Sequence, residues 1–90
     1  PREVWHAAAG TGQLGVLCWL ANQADEARRP RLYGAYTCAR AAYYGQLEAL
    51  RWLRSQVPPC PWDARTCTNA VERGHLEVLR WARAQVPPCP

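Results

Sequence analysis

Between Leu76 and Val86 a polar side chain returns every third residue, at Glu77, Arg80 and Arg83. Leu76, Val78, Leu79, Trp81 and Ala82 fill the positions between them. That spacing predicts an α-helix with a narrow solvent stripe. Residues 46–56 repeat it, with Glu48, Arg51 and Arg54 outside and Leu47, Ala49, Leu50, Trp52 and Leu53 around the rest. A helix apolar over so much of its girth should be covered on two sides, with its tryptophan in the core. A third such helix is predicted from Gln13 to Asn22, carrying Leu14, Val16, Leu17, Trp19 and Leu20. Trp19, Trp52 and Trp81 could also form a ladder for stacking a ligand, but their positions favour the core. Each of these helices follows a shorter one, at Val4–Ala9, 37–43 and Ala64–Glu72.

The breaks between helices have clear chemical causes. Gly12, Gly45 and Gly74 end the shorter helices, and glycine adopts the left-handed turn at no steric cost. No helix can cross Val57-Pro58-Pro59-Cys60-Pro61, and Pro87-Pro88 stops the last one. Asp63 is a natural N-cap for Ala64–Glu72. That places Trp62 and Cys67 at the two positions of a hydrophobic staple.

The helices come in pairs that repeat. Gly74-His75-Leu76-Glu77-Val78-Leu79-Arg80-Trp81 matches Gly45-Gln46-Leu47-Glu48-Ala49-Leu50-Arg51-Trp52 and, more distantly, Gly12-Gln13-Leu14-Gly15-Val16-Leu17-Cys18-Trp19. The glycines are 33 and then 29 residues apart. Such a period signals stacked units, none of which closes a core alone. The chain therefore reads as one domain over 1–90, in units of about 1–33, 34–61 and 62–90. It begins at Pro1 without methionine and stops at Pro90 inside a motif, as expected of a fragment of a longer array or a processed subunit.

These strings resemble the ankyrin-repeat family. Gly-His-Leu-Glu-Val-Leu at 74–79 looks like the family's second-helix motif. Ala41-Ala42-Tyr43-Tyr44-Gly45 and Trp5-His6-Ala7-Ala8-Ala9-Gly10-Thr11-Gly12 look like its first-helix ending. In this likeness His6 and His75 take the family's histidine positions, where the ring is usually hydrogen-bonded locally. The family period is about 33 residues. The 29-residue step from Gly45 to Gly74 omits the stretch where the family carries a β-hairpin finger. Pro-Pro-Cys-Pro-Trp-Asp stands there instead, a short form similar to ankyrin-like repeats encoded in large numbers by giant viruses and some microalgae. Thr37 and Thr66 fall on the family's proline position, and Cys38 and Cys67 on its apolar one. The resemblance implies an all-α solenoid of stacked helix-turn-helix units, mostly lacking fingers. Only the 33-residue step has room for one, around Arg31 to Tyr36.

Composition narrows the functional classes. All eleven basic residues are arginine and there are seven acidic ones, for a net charge of +4. No segment approaches the roughly 18 consecutive apolar residues of a membrane span. There is one serine, Ser55, and two histidines, with no phosphate loop and no catalytic grouping, so the chain is read as a non-enzyme without cofactor. Cys38 and Cys67 are 29 residues apart, as are Cys60 and Cys89. Equivalent positions in adjacent units lie about as far apart as packed helices, roughly 8–10 Å. A disulfide needs Cα atoms within roughly 7 Å. Reduced thiols and an intracellular, reducing compartment are expected. A zinc site of these cysteines with His75 lacks the close cysteine pairs of zinc signatures.

The candidate site is an arginine and tyrosine cluster. Arg28, Arg29, Arg31, Tyr33, Tyr36, Arg40, Tyr43 and Tyr44 include all four tyrosines of the chain. Tyrosine and arginine are enriched at interface hot spots. By the resemblance, Arg31, Tyr33, Tyr36, Arg40, Tyr43 and Tyr44, with Arg65, Asn69 and Arg73 of the next unit, lie on a concave binding face. The bland alternative is a solvated linker beside packing tyrosines. The expected function is protein–protein interaction, as an adaptor or a subunit of a larger assembly. Nucleic-acid binding through 28–44 is the second reading; the seven acidic residues and modest charge argue against it. The apolar ends of the array should be covered by further repeats or a neighbouring subunit.

Overall fold

The computed structural model describes residues 2–23, 34–56 and 59–85. These form six α-helices and no strand. They are α1 (Arg2–Gly10), α2 (Leu14–Gln23), α3 (Ala35–Tyr43), α4 (Leu47–Ser55), α5 (Ala64–Glu72) and α6 (Leu76–Ala84). Every predicted helix is present. The α3 helix starts two residues early, so Ala35 and Tyr36 are helical rather than part of a finger. Arg31, Leu32 and Tyr33 of that stretch lie outside the described residues, as do Val57 and Pro58, and Val86 of the last predicted helix.

The same turn closes each pair. Gly12, Gly45 and Gly74 have φ of 71°, 70° and 73°. At the second turn Gly45 N–H donates to Ala42 O at 3.1 Å and Gln46 N–H to Ala41 O at 2.8 Å. The third has Gly74 to Val71 at 3.1 Å and His75 to Ala70 at 2.8 Å. These paired bonds satisfy the last carbonyls of the shorter helix in the Schellman arrangement. At the other end of α5, the Asp63 carboxylate accepts from Arg65 N–H at 2.9 Å, the predicted N-cap. Trp62 packs against the small cluster formed by Cys67 and Ala82.

The three hairpins pack side by side through their first helices, α1 on α3 on α5, and each second helix lies on its own first helix. Alanine makes this possible. Ala8, Ala9, Ala39, Ala41, Ala42 and Ala70 are all buried, and short side chains let helix axes approach closely. Larger apolar groups, chiefly Trp5, Leu17, Leu50, Leu53 and Val78, fill the space toward the second helices.

The tryptophans correct the sequence reading. Trp5 is 2% exposed and is the largest buried side chain, whereas Trp19 is 61% exposed. Trp52 and Trp81 are only partly buried, at the edge of the core. In α4 the buried stripe is Ala49, Leu50 and Leu53. At about 100° per residue, Trp52 stands roughly 100° round the helix from its centre. In α2 the buried residues are Leu17 and Ala21, so Trp19, two residues from each, faces away. Arg54 also departs from its expected solvent position. Its guanidinium covers the Trp62 ring at 4.1 Å and donates to Cys60 O at 2.6 Å. At the outer sides of the stack, Val71 and Leu76 on one hairpin and Val4 and Val16 on another are exposed.

Candidate interaction face

Tyr36, Arg40 and Tyr43 recur at helical spacing on α3, and Tyr44, its C-cap, follows on the same side. With Asn69 of α5 they line a groove of about 350 Å³. Asn69 is fixed there because its Nδ2 donates to Ala39 O across the two helices at 3.0 Å. Five of the nine predicted site residues therefore share one concavity. Arg73 joins at its margin, its guanidinium 4.9 Å from the Tyr43 ring centroid. Arg65 does not line the groove. It is engaged by Asp63, with Nη2 3.0 Å from Oδ2. Arg31 and Tyr33 lie outside the described residues, as do Arg28 and Arg29.

Arg40 is the centre of the face. Its guanidinium carbon lies 5.8 Å from the Tyr36 centroid and 5.4 Å from that of Tyr44. Nη1 donates to the Tyr36 hydroxyl at 3.2 Å, and that bond holds the guanidinium pKa above its ordinary value. Arg40 Nε is buried with no hydrogen-bond partner among the described residues. Tyr43 and Tyr44 meet edge to face at 4.8 Å. Tyr36 and Tyr44 remain 46% and 48% exposed, so each offers part of its ring to solvent. Stacked cations and rings of this kind form a rigid amphipathic surface, at small entropic cost on binding.

Two residues outside the predicted set shape the face. Gly10 leaves room for Tyr44, since a Cβ there would stand 3.2 Å from its ring. His6 of α1 packs edge-on against Tyr36 at 4.8 Å, with Nδ1 2.9 Å from Thr37 Oγ1. This contact corrects the expectation of a purely local bond for His6. His75 likewise reaches across, its Nε2–H donating to Tyr43 O at 3.0 Å. The glycine and the histidine are visible in the sequence, but only packing shows what they touch.

Among the described residues, no three of His, Cys, Asp and Glu gather to hold a metal ion. The Ser55 hydroxyl donates to Trp52 O at 2.7 Å, a bond within its own helix. No described helix is long and apolar enough to cross a membrane. Comparison of the chain with protein-family models, curated proteins and solved structures gives no match.

Proposed function

We propose that this chain is a protein-interaction module built as a short solenoid of ankyrin-like units, serving as an adaptor or as a subunit of a larger assembly. The partner docks on the face formed by Tyr36, Arg40 and Tyr43 of α3 and Tyr44 after it, with Asn69 of α5 and Arg73 after it. The observation that carries this reading is the Arg40 guanidinium held between two half-exposed tyrosine rings at the edge of a groove. The 29-residue period and the identical turns at Gly45 and Gly74 support the solenoid. The open outer faces, with Val71 and Leu76 exposed, fit further units or a neighbouring subunit covering them.

Nucleic-acid binding is the second reading, favoured by the arginines of the same face. Against it, Arg40 and Arg73 already lie over the rings of Tyr36, Tyr44 and Tyr43, where bases would have to stack. One experiment separates the two. Proteins crosslinked to the wild-type chain in its source cells should be lost in the Tyr36→Ala/Tyr44→Ala variant under conditions where thermal melts show the variant still folded. Random single-stranded oligonucleotides are titrated in parallel at two salt concentrations. Tight binding that falls steeply with salt would favour nucleic acid instead.

A further inference from the structure

Cys38 and Cys60 are 22 residues apart and belong to non-equivalent positions of the repeat. The fold nevertheless brings them together. Their Sγ atoms are 3.2 Å apart and both residues are 0% exposed. The pair lies within one unit and does not join equivalent positions of adjacent units. Cys38 is in the first turns of α3, and Cys60 is in the non-helical segment after α4.

Cys60 is held in place from several sides. Pro59 and Pro61 restrict the backbone on either side of it. Its N–H donates to Leu53 O at 3.0 Å, and its carbonyl accepts from Arg54 Nη1 at 2.6 Å. Its thiol points at Gly34 O, 3.4 Å away, beside Cys38. An S–S bond of about 2.0 Å requires the sulfurs to close by only roughly 1.2 Å. Cys67 and Cys89 repeat the same 22-residue separation, while Trp5 stands at the position of Cys38 in the first unit.

We propose that Cys38 and Cys60 are a dithiol–disulfide couple that clamps the Pro-Cys-Pro segment onto α3. The co-reactant is a low-molecular-weight disulfide. When the Pro-Cys-Pro segment opens locally and admits it, the Cys60 thiolate attacks one of its sulfurs, forming a mixed disulfide and expelling one thiolate. The Cys38 thiolate then attacks the Cys60 sulfur and expels the second half. Two protein thiols lose two electrons in total, and the small disulfide gains them as two thiols, which take up the two protons. The bond closes a loop around the whole α3–α4 hairpin and so limits its unfolded state.

The test uses the whole folded chain with oxidised glutathione as the probe, followed by trypsin digestion without reduction. Cleavage after arginine puts Cys38 in peptide 32–40 and Cys60 in peptide 55–65. The expected product is a linked pair of these two peptides, and a rise in melting temperature that dithiothreitol reverses. Cys18→Ser, which removes an exposed thiol, should keep the link; Cys60→Ser should abolish it. Wild-type digests in which 32–40 and 55–65 stay unlinked, or join Cys18 or Cys67 instead, would overturn the couple. A link that forms without raising the melting temperature would overturn the clamp.

Discussion

The His75 ring lies over Gly45, donating from Nε2 to Tyr43 O at 3.0 Å, and so locks the third hairpin onto the turn of the second. A Cβ on Gly45 would meet His75 Nδ1 at 2.6 Å, whereas a Cβ on Gly74 would meet nothing within 4 Å. Both glycines have the same left-handed backbone. Gly74→Ala should therefore cost only the backbone penalty, roughly 1–2 kcal/mol. Gly45→Ala should cost that and also displace the histidine, adding about 1 kcal/mol for the lost hydrogen bond. Urea unfolding of the two variants measures the difference. Equal losses would mean that the His75 contact contributes nothing to the stack.

The tryptophans should separate sharply by burial. Trp5→Ala should cost roughly 3–5 kcal/mol, the range for a large buried aromatic. Trp19→Ala should stay within about 0.5 kcal/mol of wild type, as surface changes do. Denaturant midpoints with unchanged slopes would establish both. A Trp19 variant that unfolds would require that ring to be covered.

Thr37 and Thr66 occupy equivalent positions and are both buried. Thr37 Oγ1 accepts from Gly34 N–H at 3.1 Å and lies 2.9 Å from His6 Nδ1. Thr66 Oγ1 has no partner among the described residues. A buried hydroxyl without a partner costs roughly 1–3 kcal/mol, and valine has its shape without the oxygen. Thr66→Val should raise stability by about 1 kcal/mol and Thr37→Val should lower it by a similar amount. Thermal melts of the pair would show opposite shifts; a loss at both sites would place an unseen partner on Thr66.

Asp63 gives a pH dependence. Its hydrogen bonds from the Arg65 side chain, and then from the Arg65 backbone, hold its pKa below the ordinary value of 3.8. A carboxylate whose folded pKa is depressed stabilises the fold above its unfolded pKa. That contribution is lost as pH falls through the folded value. Asp63→Ala should cost roughly 1 kcal/mol at neutral pH through loss of the N-cap. The gap to wild type should stay constant down to about pH 5, where the unfolded chain begins to take up protons, and shrink below it. Melting curves at neutral and acid pH give the comparison. A constant gap into strong acid would remove the carboxylate from the cap.

The six helices, their turns and the N-cap at Asp63 were legible in the sequence because local rules set them. Glycine at a left-handed turn, proline after a helix and aspartate before one act within a few residues. The nearness of Arg40, Tyr43 and Tyr44 was legible for the same reason, but Tyr36 was expected in a finger and joins them because α3 starts two residues early. Burial was not. Trp5, Trp19 and Trp52 differ because burial depends on how each helix is rotated against its neighbours, and apolar residues cover too much of α2 and α4 to reveal it. Nor could repeat spacing show that Cys38 meets Cys60 or that His6 reaches Thr37. Those contacts join unlike positions of the pattern, and only the packing of α1, α3 and the segment after α4 brings them within bonding distance.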